Sequence, residues 1–213
     1  MTLISGTYDL SAVAAGYAIS TLRGITLSDR QTLQQDFALY PFCDVFSDDV
    51  ESGNLGWTVG GDWSIITGDA HSPEHAWTDS PGSNYDNNVD ASLLSPIFDL
   101  SGYGSVELSF WHRYALEQGY DYGSVEYSTN GGQTWTAAAS YSGEAQTTWT
   151  QETLPLPLGG ESNVRLRFRL RSDALITRDG WYIDDVLLSA SGSACIATPI
   201  SPTAAFSYTE PVL

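Results

Sequence analysis

Hydrophobic and polar residues alternate with a period of two through most of this chain. The alternation is strictest in Val164–Arg171 (VRLRFRLR), where Val164, Leu166, Phe168 and Leu170 share one face and Arg165, Arg167, Arg169 and Arg171 the other. In Val106–Tyr114 (VELSFWHRY), Val106, Leu108 and Phe110 point one way and Glu107, Ser109 and Trp111 the opposite way. Ser124–Tyr127 leads into Asn130-Gly131-Gly132, a hairpin-turn signal, and the chain returns through Trp135. Trp181–Leu188 reads as a final strand. Helical spacing of apolar residues is almost absent, while Gly, Asn, Asp and Ser punctuate the apolar runs. The pattern predicts an all-β protein.

Three zones follow from the same pattern. Residues 1–40 predict strands in GTYDLSAVA, GYAISTLRGITL and TLQQDFALYP. Residues 41–196 hold a full set of sandwich strands. Residues 197–213 begin as a Pro/Ser/Thr linker and end in a strand-like PTAAFSYTEP.

Composition narrows the function. Over 213 residues, 26 acids face eight bases, all of them Arg. Nucleic acids and anionic membrane surfaces both select clustered positive charge, so this balance argues against both. It is compatible with divalent cations and equally with a solvated acidic surface. No run reaches the roughly 18 apolar residues that suggest a membrane span. The start, MTLISGTYDL, lacks a basic segment and carries Asp9 within its apolar run, which is not a signal-peptide pattern. The expectation is an internal slice of a longer modular protein. Cys43 and Cys195 bracket the central zone, a placement that suits a disulfide tying its first strand to the end of its last. Two free buried thiols are the alternative.

Several motifs invite chemistry. His71-Ser-Pro-Glu74-His75 has two His four apart, but Pro73 breaks any helix and Glu74 adjoins the wrong His for a zinc-peptidase site. His112 alternates with core positions and reads as a core-edge histidine. There is no Gly-x-Ser-x-Gly elbow and no carboxylate pair stands out, so no catalytic residue is assigned. The Arg row is either a basic shelf for acidic glycans or an outer sheet face paired with Glu107 or Glu126. Ser128-Thr-Asn130-Gly-Gly132-Gln-Thr134-Trp135 resembles the Asp-box hairpin of sialidase propellers, a structural motif. It occurs once here, which excludes a propeller. Trp77, Tyr85, Tyr120 and Tyr122 fall in or near loops, where their rings would either stack on a glycan or pack beneath the loops.

The carboxylates next to apolar strand residues carry the widest resemblance. Phe46–Gly53 (FSDDVESG), Trp77–Gly102 (WTDSPGSNYDNNVDASLLSPIFDLSG) and Gly180–Val186 (GWYIDDV) resemble the calcium-containing, MAM-related β-jelly-roll modules of secreted bacterial immune-inhibitor-type peptidases and surface proteins. The resemblance implies a jelly-roll β-sandwich, MAM/concanavalin-like or galactose-binding-like. It also implies bound Ca2+ with oxygens from Glu51, Asp79, Asn87, Asp90, Asp184 and Asp185. Residues 1–40 resemble the closing half of a carboxypeptidase-regulatory-like β-sandwich, and the C-terminal strand resembles the start of a PKD-like domain. Together these imply a non-catalytic extracellular module. Its partners would be neighbouring domains of the same polypeptide and, in addition, a glycan or an extracellular protein. A carbohydrate-binding module and a fragment of a secreted peptidase or glycosidase are the alternatives.

Overall fold

The computed structural model describes residues 4–143, 146–195 and 205–208. Its strands are β1 (Gly6–Val13), β2 (Ser20–Leu27), β3 (Phe42–Asp48), β4 (Thr58–Val59), β5 (Ser64–Thr67), β6 (His75–Thr78) and β7 (Asp90–Leu94). They continue with β8 (Ser105–Ala115), β9 (Tyr122–Ser128), β10 (Thr136–Tyr141), β11 (Gln146–Leu156), β12 (Arg165–Arg171), β13 (Gly180–Ser191) and β14 (Ala205–Tyr208). Two compact units emerge: Met1–Cys43 with Ser191–Leu213, and Asp44–Ala190.

The larger unit is a β-sandwich. One sheet has the order β10-β9-β12-β7-β4 and the other β11-β8-β13-β6-β5, with β3 also on β13. The faces predicted by alternation become its interior. Val106, Leu108 and Phe110 of β8 and Leu166 and Phe168 of β12 are all buried. Phe110 from one sheet meets Phe168 from the other at 5.1 Å between ring centroids, and Trp181 of β13 lies 5.6 Å from Phe168. Gly123 of β9 faces that indole so closely that a Cβ would sit 2.7 Å from Trp181 Cε3. A side chain there would push the sheets apart, which explains a Gly inside a strand.

His112 is 2% exposed, enclosed by Phe110, Tyr114, Tyr141 and Trp181. Its Nδ1 accepts a hydrogen bond from Trp181 Nε1 at 3.2 Å, and burial pushes its pKa down to about 4. It belongs to the core.

The Arg row lies on the opposite face of β12, and each guanidinium but the last has a hydrogen-bond or ion-pair partner among the described residues. Arg165 donates to the Ser95 carbonyl (2.7 Å) and to Thr58 Oγ1 (2.8 Å). Arg167 pairs with Glu126 and stands 4.2 Å over the Trp135 ring. Arg169 clasps Asp90 through Nε (2.6 Å) and Nη2 (2.5 Å). The expected partner Glu107 is not one of them, because β8 belongs to the other sheet, where Glu107 sits opposite Pro155. The hairpin between β9 and β10 is the hydrogen-bonded turn that its sequence predicts. Thr134 N–H donates to Asn130 Oδ1 (2.9 Å), and Gly131 and Gly132 take positive φ.

In the smaller unit, β1 pairs with β2 on one side and with β14 on the other, both antiparallel. Two expectations change here. Residues 31–40, expected to form a strand, have none; only an isolated bridge joins Tyr17 to Pro41. The C-terminal strand, expected to open a separate domain, completes the sheet of the N-terminal segment, satisfying the edge of β1. Cys43 and Cys195 form a disulfide within this unit, with Cα atoms 5.6 Å apart.

Candidate functional site

The six residues expected to hold calcium lie at several separate places. Glu51, after β3, turns both oxygens onto the loop before β6. Its Oε1 accepts from the Glu74 and His75 N–H groups (2.9 and 2.8 Å), and Oε2 meets His75 Nδ1 at 2.9 Å. That contact lowers the Glu51 pKa and raises that of His75. Asp184 and Asp185, in β13, grip the same loop three residues earlier. Buried Asp184 accepts from the N–H groups of His71 (2.8 Å), Ser72 (2.9 Å) and Asp185 (2.7 Å). Burial, opposed by those bonds, lifts its pKa to about 6. Asp185 reaches His71 Nδ1 (2.6 Å) and Ser72 Oγ (2.8 Å), and the His71 ring stacks on Trp111 at 3.6 Å.

The segment after β3 and strand β13 thus meet at one loop. Every oxygen there already faces a donor, however, and N–H groups pointed at carboxylates repel a cation. The two His of the His-Ser-Pro-Glu-His run are held by different carboxylates, which explains that run without zinc. Val50, in the turn after β3, takes φ +63°, a strained left-handed conformation for a β-branched residue, and Asp185 takes φ +47°, which Asp tolerates.

The other expected ligands lie elsewhere. Asp79, just past β6, accepts from the Trp181 N–H (2.7 Å) through Oδ1, while its Oδ2 is buried with no hydrogen-bond partner among the described residues. Burial is the first cause that raises its pKa to about 7, and the charges of Asp179 and Asp62 add to it. Asp90, on the outer face of the five-stranded sheet, has its carboxylate clasped by Arg169, whose contact pushes its pKa down. Asn87 is exposed on the loop before β7. The expected six therefore do not form one cage.

A different set of acids does converge. Glu117, Asp121 and Asp173 bring carboxylate oxygens to within 4.8 Å of one another. Glu117 and Asp121 flank the turn from β8 to β9, and Asp173 follows β12. Asp121 is fully buried; Oδ2 accepts from the Tyr85 hydroxyl (2.5 Å) and Oδ1 from the Asp173 N–H (2.8 Å). Tyr85 in turn accepts from the Glu117 N–H at 3.1 Å. Glu117 Oε2 is buried and has no hydrogen-bond partner among the described residues. An all-oxygen set with an unpaired buried carboxylate oxygen fits a hard cation better than the loop clamp does. The sequence signal was slight: two acids four apart in LEQGYD, needing a third 52 residues later.

Of the aromatic candidates, Trp77 and Tyr85 are corrected. They are 2% and 3% exposed, Trp77 within the main core and Tyr85 bonded to Asp121, so neither ring face is open to a ligand. Tyr120 is 64% exposed, and it lines a surface depression with Tyr122.

Comparisons with known proteins agree with a β-sandwich. Residues 121–189 match the family model described as Reelin subrepeat B. The chain is 34% identical over 154 residues to Bacillopeptidase F of Bacillus subtilis (strain 168), covering 68% of this chain and 10% of that protein. It therefore spans about a tenth of that relative's length. Among solved structures, the K3 cleaved adhesin domain of Lys-gingipain from Porphyromonas gingivalis has a TM-score of 0.53 at 20% identity, over 70% of this chain and 98% of that domain. The K1 domain of the same protein gives 0.50 at 19% identity, over 67% and 96%. At such identities the likeness establishes the fold. Among the described residues no helix is long and apolar enough to cross a membrane.

Proposed function

We propose that this chain is a non-catalytic ancillary module of a longer secreted or cell-surface protein, stabilised by Ca2+, serving as a spacer, adhesion or targeting domain. The observation that carries the reading is the long alignment with a minor part of Bacillopeptidase F, a peptidase about ten times its span. A segment so small a part of its relative suits an accessory role. The likeness to adhesin domains supports the same role. The site chemistry is compatible with this reading, since Glu51, Asp184 and Asp185 hold the loop before β6 and Asp90 is clasped by Arg169. Neighbouring domains of the same polypeptide are then the natural partners.

Calcium is supported by Glu117, Asp121 and Asp173. Three converging carboxylates repel one another, and Glu117 Oε2, buried without a hydrogen-bond partner among the described residues, would have its desolvation offset by a cation. Calcium accepts irregular cages of six to eight oxygens, whereas magnesium demands a near-ideal octahedron. A cation bound only to the folded state adds about 2.7 kcal/mol at a hundredfold excess over its dissociation constant.

The test has two arms. Protein purified without chelator should carry calcium by elemental analysis, and chelator should lower its melting temperature. Calcium should restore that temperature better than magnesium, and Glu117→Gln with Asp173→Asn should blunt the response. A calcium-free preparation would overturn the metal assignment. In the second arm, casein and a panel of polysaccharides should show no turnover; a rate abolished by neutralising one carboxylate would overturn the non-catalytic reading.

A further inference from the structure

We propose that the depression beside the turn from β8 to β9 binds a neutral saccharide. This goes beyond the accessory role above, which stands with or without the site.

The depression offers about 440 Å³ and is shallow and open to solvent. Its lining includes Asn88, Asp90, Tyr120, Tyr122, Arg171 and Asp173. Strand register sets up its floor: Arg171 of β12 stands opposite Asp90 of β7 on one side and Tyr122 of β9 on the other. Asp90 does not pair with this neighbour, because Arg169 takes both its oxygens. Arg171 is therefore left with no hydrogen bond or ion pair among the described residues, unlike the other three Arg of its row. In a chain with eight bases against 26 acids, a guanidinium left unpaired beside a clasped carboxylate is unexpected.

The other walls are equally available. The Tyr120 ring is 64% exposed, and neither its hydroxyl nor the side-chain amide of Asn88 has a partner among the described residues. Tyr122 is fixed by donating to the Gly119 carbonyl at 2.9 Å. Asn88 holds a left-handed φ of +59°, with its N–H on the Asp173 carbonyl at 2.6 Å, so the rim is a formed turn. A flat aromatic face beside a planar guanidinium and a free amide matches a pyranose ring. The C–H face of the sugar lies on Tyr120, and its vicinal hydroxyls meet the Arg171 fork and the Asn88 amide. Charge selects the class. Asp90 and Asp173 line the depression with one Arg, and the chain carries a net charge of −18, so a polyanionic glycan is disfavoured.

The probes are hexasaccharides of β-linked glucose, xylose, mannose and galactose, with hexagalacturonate as the acidic arm, titrated calorimetrically into the full chain. At least one neutral hexasaccharide should bind with a dissociation constant below about 1 mM, and Tyr120→Ala and Arg171→Ala should each weaken it about tenfold. Both residues are exposed, so the melting temperatures of the variants should match wild type. Ile97→Ala, at an exposed position outside the depression, should bind as wild type. Asp173 also belongs to the acidic trio, so the titrations are run with calcium and with chelator. Binding in either condition supports the site, and loss in chelator alone ties it to the ion. Silence from all neutral probes, tighter binding of hexagalacturonate, or affinity unchanged in both variants would overturn the proposal.

Discussion

Asp79→Asn should flatten the pH dependence of stability, because the structure buries this carboxyl with one oxygen unpaired. Its pKa rises from the ordinary 3.8 to about 7. An acid raised in this way binds its proton more tightly folded than unfolded. It therefore favours the folded state most below the unfolded value, and that stabilisation is lost as pH climbs from about 4 to about 7. At about 1.4 kcal/mol per pH unit, the shift amounts to roughly 2.5 kcal/mol between pH 5 and pH 8. Asn keeps the Oδ1 acceptor for the Trp181 N–H, puts an N–H where the protonated acid has its O–H, and does not titrate. Asp184, raised to about 6, drifts in the same direction, and His112, lowered to about 4, drifts in the opposite one. Both remain in the variant, so they cancel in the difference. Urea unfolding at pH 5, 6.5 and 8, followed by tryptophan fluorescence, should show wild type losing about 2.5 kcal/mol more than Asp79→Asn. The experiment also separates this acid from a metal ligand. A cation on Asp79 would hold it ionised, and Asn would then cost stability at every pH. Parallel profiles would refute a buried, proton-binding Asp79.

His112→Phe should change the acid side in the opposite sense. A histidine lowered from 6.5 to about 4 stabilises above the unfolded value and loses that stability as pH falls. Wild type should therefore lose about 2 kcal/mol more than the variant between pH 7 and pH 5 in the same denaturation assay, and equal losses would count against a neutral core histidine. Reducing or replacing Cys43 should destabilise the terminal unit. The bridge closes 152 residues, worth about 5 kcal/mol in the chain-entropy model. Non-reducing peptide mapping should recover the Cys43 and Cys195 peptides linked, whereas two alkylatable thiols in native protein would disprove the bridge.

The sandwich was legible because strand alternation is local. Val164–Arg171 names its buried face without help from any other segment, and burial of Leu166, Phe168 and Leu170 follows once a second sheet covers them. The Asn-Gly-Gly hairpin was legible for the same reason, since its turn is closed by residues within four positions of one another. The placement of Cys43 and Cys195 suggested their pairing because a bridge needs only two partners. Residues 31–40 misled for the converse reason: their alternation met no neighbouring strand to complete a ladder.

The site was far less legible. Glu51, Asp184 and Asp185 were noticed as acids amid apolar strands, and β3 and β13 do bring them to one loop, but the backbone N–H groups that occupy them leave no mark in the sequence. Asp90 looked like a ligand until the register of β7 and β12 set its strand beside Arg169. Trp77 and Tyr85 looked like loop aromatics until the sheets closed over them. Glu117, Asp121 and Asp173 lie on two connections that approach only because β9 and β12 pair. By itself the sequence determined what one strand can decide: the all-β class, the apolar and charged faces, the turns and the acidic balance. Tertiary structure alone decided which carboxylates meet donors, which meet one another and which guanidinium is left over, because each depends on strand register across tens of residues.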